Sequence, residues 1–210
     1  MNVKLVWATP KGDQLIAKMA RVSNPANENN DATALKLIKY LINHAHWSPF
    51  EMASLCVEIE TERDVAAQIL RHRSFSFQEF SQRYAQAPLP VVPALRRQDF
   101  VNRQNSTDDL PEQLVDRYQE AIARHNLAGY DLYQSMLDAG VAKECARRVL
   151  PLSTPTRMYM AGTVRSWIHY FKVRCDPATQ LEHREVADAI RRIFVGVYPA
   201  VAAATGNNYP

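Results

Sequence analysis

Apolar and polar residues recur along the chain with two periods. Leu55, Val57 and Ile59 alternate with Cys56, Glu58 and Glu60, the period-two pattern of a half-buried strand. The middle of Thr156 to Val164 alternates in the same way, and Val3 to Ala8 reads as a short strand ended by Thr9-Pro10. From Asp31 to His44, residues Ala34, Leu37, Ile38, Leu41 and Ile42 fall at helical spacing and predict an amphipathic helix. The longest periodic segment, Pro111 to Asp138, brings Leu114, Tyr118, Ile122, His125, Leu132 and Met136 near one face. It predicts a core or interface helix in which His125 is packed. Shorter helices are expected at Asp13 to Arg21, from Thr61 toward Arg71 with Thr61 and Asp64 as a cap, and at Val141 to Leu150. Two more follow at Arg165 to Val173 and Thr179 to Val197. Between Pro88 and Asp109 the prolines and polar residues predict a long surface loop, a candidate lid whose arginines are solvated.

Composition adds that the chain, at 210 residues with 47% hydrophobic and 22% charged, has the makeup of a soluble globular protein, expected as a single domain over 1–210. The net charge of +3 implies no strong polyanion-binding field. Lys and Arg together number 25, of which 18 are arginine and 7 lysine, and an arginine excess suits bidentate recognition of phosphate or carboxylate. Genome composition is an equally good source of that bias. Cys56, Cys145 and Cys175 form no C-x-x-C pair, which fits a reduced, cytoplasmic setting. No run is apolar enough for a membrane span, so no membrane partner is expected.

The densest chemistry lies in Arg71-His72-Arg73-Ser74-Phe75-Ser76-Phe77-Gln78-Glu79-Phe80-Ser81-Gln82-Arg83-Tyr84. Arg71 and Arg73 offer planar forks for phosphate oxygens, Ser81 and Arg83 add donors, and Glu79 can accept from a ring edge or fix an arginine. Cations in the last turn of a helix also complement its dipole, which is the plainer explanation for one or two of them. It does not cover the serines, Glu79 and Arg83. Elsewhere, His46-Trp47-Ser48-Pro49-Phe50-Glu51 has the form of a capping box with Ser48 as N-cap. Arg165 and His169, four apart, share a helix face and can converge on one ligand. His44 and His46 lack a third metal ligand at suitable spacing, so no metal is expected. The six scattered glycines make neither a G-x-G-x-x-G nor a Walker loop. Cys175 sits beside Arg174, which could lower its pKa, but it reads as a bystander. A non-enzymatic RNA-binding protein would use the same arginines with Phe75, Phe77 and Tyr84 as stacking platforms; the small net charge and absent basic tail count against a nucleic-acid partner.

Arg-His-Arg followed by seven residues and a serine, with Gln78-Glu79 and Arg83-Tyr84 around it, resembles the signature of the flavin-dependent thymidylate synthases, the ThyX family. The resemblance extends through Ala20-Arg21-Val22-Ser23, the 46–51 loop, Glu144 to Pro151, Arg157, Val164-Arg165-Ser166, and Arg174 with Asp176 and Gln180. The chain departs from the common pattern at Gln78, Thr163, His169 and Ala178. The resemblance implies an α+β fold with a mostly antiparallel sheet packed against long helices. It implies reductive methylation of dUMP to dTMP, with methylenetetrahydrofolate as carbon donor and FAD reduced by NADPH as hydride carrier, and without a cysteine nucleophile. By the same resemblance Ser48, Arg71, His72, Arg73, Glu79, Arg165 and His169 contact FAD. Gln68, Arg71, Glu79, Ser81, Gln82, Arg83, Arg147 and Arg174 form the dUMP site, and Arg174 is the catalytic residue. The family also implies a homotetramer with sites shared between subunits.

Overall fold

The computed structural model describes residues 1–206 as an α+β fold. Strand β1 (Asn2–Ala8) leads into helix α1 (Gly12–Ala20), and α2 (Ala34–Asn43) follows a 3-10 turn at Asp31–Thr33. A 3-10 turn at Ser48–Glu51 precedes β2 (Ser54–Glu62), which runs straight into α3 (Arg63–Ile69). Helix α3 ends before the Arg-His-Arg run, so those cations occupy the loop after the helix. The same stretch then forms a short strand, β3 (Ser76–Glu79), which its sequence did not predict. The polar 97–107 region closes on itself as an antiparallel ladder of β4 (Arg97–Gln98) and β5 (Ser106–Thr107). Next come α4 (Glu112–Asp138) and α5 (Lys143–Ala146); the expected 141–150 helix tightens into a 3-10 turn at Arg147–Val149. The remaining elements are β6 (Pro155–Thr163), α6 (Val164–Arg174), α7 (Leu181–Val197) and α8 (Pro199–Thr205).

Four strands pair in the order β1-β2-β6-β3. Thr9 N–H donates to Ser54 O while Lys4 pairs with Glu58, so β1 and β2 run antiparallel. In β2 Leu55, Val57 and Ile59 are fully buried as the alternation predicts, but Cys56 on the opposite face is buried too.

The described backbone falls into two compact units, each made of separate segments: one of 60–70 and 79–158 with Met1, the other of 2–59, 71–78 and 159 onward. In the second unit Trp167, Tyr170, Phe171 and Phe194 are buried with Ile16, Ile38 and the apolar face of β2. Trp167 Nε1 donates to Leu55 O at 3.2 Å, tying α6 to β2. Arg21 is buried for a structural reason, donating to Asn30 O at 2.7 Å and Thr33 Oγ1 at 2.8 Å. In the first unit Tyr133, Ala87 and Ala146 form a core with Tyr130, Met136 and Leu137 around it.

Several local expectations give way to longer-range contacts. His125 is exposed; its neighbour Asn126 is the buried polar residue of α4, and donates to Val91 O at 2.9 Å. Tyr130 and Tyr133 reach Ala87, so the start of the proline-rich stretch is pinned to α4 at Ala87 and Val91. Arg97 pairs with Asp109 at 3.1 Å instead of standing free in solvent. The Ser48 capping box does not form: no side chain caps that turn, and Glu51 pairs with Arg165. Nor does Thr61 cap α3, because its hydroxyl is buried without a partner among the described residues. For Asn126, Arg97 and Glu51 a partner elsewhere in the chain outcompetes the local option, whereas Thr61 loses its cap without gaining one.

Candidate active site

Helix α6 organises the second unit's share of the nominated residues. Thr163 caps it, accepting from Ser166 N–H at 3.3 Å, and this fixes the direction in which Arg165, His169 and Lys172 leave one face. Those three line a cleft of about 870 Å3 with Trp47, Glu51 and Ser74. Ser166 Oγ donates to Ser74 O at 3.2 Å, which ties the helix start to the loop carrying Arg71, His72 and Arg73. Ser48, Arg71, Arg73 and His169 are exposed, and His72 and Arg174 half-buried. The volume lies within the usual range for cofactor sites, about 300–1,000 Å3, and the cationic rim beside an indole suits an aromatic group carrying phosphates.

At the end of α6 the Arg174 Nε–H donates to His72 Nε2 at 2.8 Å. Burial pushes the His72 pKa down from 6.5 to about 4, assisted by the charges of Arg174, His169 and Arg71. Burial also lowers that of Arg174, and the nearby Arg71 adds to the effect, while Tyr170 opposes it. Arg71 and Arg174 therefore feel each other, with no carboxylate among the groups acting on either Arg174 or His72. Two like charges that act on each other, one of them half-buried, call for an anion.

In the first unit, Glu79 at the end of β3 accepts from Arg63 Nη1 at 3.2 Å and from Thr156 Oγ1 at 2.9 Å. Its carboxylate is thereby locked before any ligand arrives. Ser81, Arg83 and Tyr84 face Ala142, Lys143 and Glu144 across a cleft of about 380 Å3, with Arg83 paired to Glu144 at 3.1 Å. Gln82 is buried with no partner for its Nε2 among the described residues. Gln68 and Arg147 are half-buried in the same unit, Arg147 on the 3-10 turn after α5. The nominated residues thus divide between the two units: Ser48, Arg71, His72, Arg73, Arg165, His169 and Arg174 in the second, and Gln68, Glu79, Ser81, Gln82, Arg83 and Arg147 in the first.

Sequence reasoning missed the residues behind these. Tyr170 and His183 are fully buried and share a hydrogen bond at 3.1 Å, and both rings stand edge-on to His72. The apolar face of α6, with Trp167 and Phe171, could have pointed to Tyr170; nothing local marks His183. Cys175 behaves as the expected bystander: burial and the neighbouring Asp188 push its thiol up to about 12, so adjacency to Arg174 in sequence does not activate it. Among the described residues no group of three or more His, Cys, Asp or Glu is placed to hold a metal, and no helix is long and apolar enough to cross a membrane.

Known proteins match this arrangement over nearly the whole chain. A flavin-dependent thymidylate synthase of Synechocystis sp. is 54% identical over 196 residues, spanning 93% of this chain and 89% of that protein. A probable flavin-dependent thymidylate synthase of Paramecium bursaria Chlorella virus 1 is 50% identical over 212 residues, spanning 97% and 98%. The crystal structure of a UMP/dUMP methylase, PolB from Streptomyces cacaoi bound with 5-Br dUMP, is similar with a TM-score of 0.86 at 28% identity, covering 98% of this chain and 94% of that one. The family profile described as thymidylate synthase complementing protein, Thy1, matches residues 4–200, and the chain belongs to that family.

Proposed function

We propose that this chain is a flavin-dependent thymidylate synthase that converts dUMP to dTMP, with methylenetetrahydrofolate as carbon donor and NADPH as the source of reducing equivalents. The observation that carries the reading is the convergence of Arg71, His169 and Arg174 around His72 with no compensating carboxylate acting there. Ser48, Arg71, His72, Arg73, Glu79, Arg165 and His169 would hold FAD, whose bound isoalloxazine supplies the redox chemistry. The cationic rim and indole of the α6 cleft support that assignment.

Gln68, Arg71, Glu79, Ser81, Gln82, Arg83, Arg147 and Arg174 bind dUMP in this reading. Arg71, Arg83 and Arg147 meet phosphate, for which a guanidinium fork is the fitting donor. Arg174 is the catalytic residue. Its charge faces the pyrimidine, stabilises the anion formed by ionisation at N3, and so raises electron density at C5. In this reading no cysteine attacks the ring: burial raises the thiol pKa values of Cys56 and Cys175, and the exposed Cys145 is not among the nominated site residues. No hydrogen bond joins the Ser81 hydroxyl to a base among the described residues, and it serves as a binding donor.

The chain acts as one domain over 1–210, in the cytoplasm, as a homotetramer with shared sites. The division of the nominated residues between two units supports sharing, and so do the large apolar residues Tyr118, Leu127 and Leu132 left exposed along α4. The test is dTMP formation with dUMP, methylenetetrahydrofolate, FAD and NADPH, each omitted in turn. Product is expected only with the full set, and a protein that makes none when saturated with all four refutes the reading. Arg174→Ala should abolish product while FAD stays bound; full activity would remove Arg174 from its role.

A further inference from the structure

Arginine at a reacting centre is commonly oriented by a carboxylate, which also cancels much of its charge. Arg174 is oriented differently. Its Nε–H is taken by His72 Nε2 at 2.8 Å, and its terminal Nη groups have no partner among the described residues. Because a guanidinium only donates, Nε2 must be an unprotonated acceptor, and the neutral His72 ring must carry its proton on Nδ1. The pKa of about 4, set by burial and by the charges of Arg174, His169 and Arg71, keeps the ring in that form at neutral pH.

The imidazole is itself held by rings. Phe75 meets its edge at 6.4 Å between centroids and 87°, Tyr170 at 4.9 Å and 75°, and His183 at 6.2 Å and 86°. Tyr170 is fully buried and bonded to His183, also fully buried, so the backing cannot easily rotate. Arg174 is a long, rotamer-rich side chain, and much of that freedom is already lost once Nε is anchored. A neutral acceptor fixes the plane of the guanidinium and leaves its whole charge for the substrate.

We propose that His72 is the positioning residue of Arg174, its Nε2 orienting the guanidinium without neutralising it, with Tyr170 and His183 as the backing that holds the imidazole in place. This rests on the reading of Arg174 as the group that meets the pyrimidine. It adds a role for the His72 side chain beyond contact with flavin, and gives the two buried residues of α6 and α7 a purpose in catalysis.

The test compares His72→Gln, His72→Leu and His72→Glu at saturating FAD, with Arg174→Ala measured in parallel. Gln keeps a neutral acceptor near the Nε2 position, Leu keeps only apolar bulk, and Glu keeps an acceptor but adds a negative charge. Misplacement of a reacting group by about 1 Å costs on the order of 100-fold in rate, so kcat should fall about 10- to 100-fold in Leu and in Glu and much less in Gln. A merely structural role would put Leu at or above Gln, because Leu preserves the packing better. Leu matching Gln, or Glu proving the most active variant, overturns the proposal. A readout that needs neither activity nor flavin is 15N NMR of histidine-labelled protein. His72 should show a protonated Nδ1 and an acceptor-type Nε2 whose resonance moves in Arg174→Ala; a protonated Nε2 overturns the proposal. If Arg174→Ala is itself fully active, the role given to Arg174 has failed, whatever the His72 variants do.

Discussion

Gly162→Ala should loosen the Arg-His-Arg loop from its seat on β6. A Cβ on Gly162 would lie 2.4 Å from Phe75 Cδ1, 2.5 Å from Cε1 and 3.3 Å from Cγ. Carbon atoms pack at about 3.5–4.0 Å, so the ring must retreat by about 1 Å or more. It has little room: Trp167 stands 4.6 Å and Tyr170 5.8 Å away between centroids, and both are fully buried. Overpacking of this kind costs about 1–3 kcal/mol. For a chain of this size each kcal/mol shifts the midpoint by about 2–4 °C, so a cost of about 2 kcal/mol lowers Tm by about 6 °C. The assay is thermal unfolding of Gly162→Ala, Phe75→Leu and the double variant, with flavin fluorescence as a second signal for the loop. Phe75→Leu creates room, so the alanine penalty should largely vanish in that background. An unchanged Tm for Gly162→Ala, or a penalty undiminished beside Leu at 75, would refute the reasoning.

Acid should destabilise the second unit before carboxylates titrate. The pKa values of His72 and His183 fall from 6.5 to about 4 and about 3, burial being the main cause, so the unfolded chain binds protons that the folded chain refuses. Stability is then full above pH 6.5 and lost as pH falls toward 4, by on the order of 3 kcal/mol from fully buried His183 and by a smaller, solvent-screened amount from half-buried His72; urea titrations of wild type and His183→Gln should show a shallower pH slope in the variant. Asp13 accepts from Ala200 N–H at 2.7 Å and Val201 N–H at 3.2 Å, serving the first turn of α8. Asp13→Ala should cost about 1–2 kcal/mol and speed hydrogen exchange in α8 specifically. Of the three thiols, Cys145 is exposed while Cys56 and Cys175 are buried. Iodoacetamide at pH 8 should label one cysteine per folded chain and all three after denaturation, counted by mass spectrometry.

The sequence alone determined the elements whose signals are local. Alternation in β2 and β6 and the 3.6-residue stripes of α2 and α7 place residues on faces with no help from distant parts of the chain. The arginine-rich loop and the shared face of Arg165 and His169 were legible for the same reason. The family resemblance then attached roles to these residues and to others, among them Gln68, Arg147 and Arg174, that local chemistry had not singled out. Only tertiary structure decided which local options were taken up. Ser48 and Glu51 have capping-box spacing, but the Glu51 carboxylate goes to Arg165, 114 residues away. His125 and Asn126 are neighbours on one helix, and the path of the 87–91 segment buries the second and not the first. The contact that orients Arg174 joins residues 102 apart and is backed by His183, which no motif marks. Periodicity reports which face of an element is buried, but the partner waiting on that face is chosen by chain topology. Here topology brings a histidine, where an acid is commonly found, to the Nε–H of Arg174.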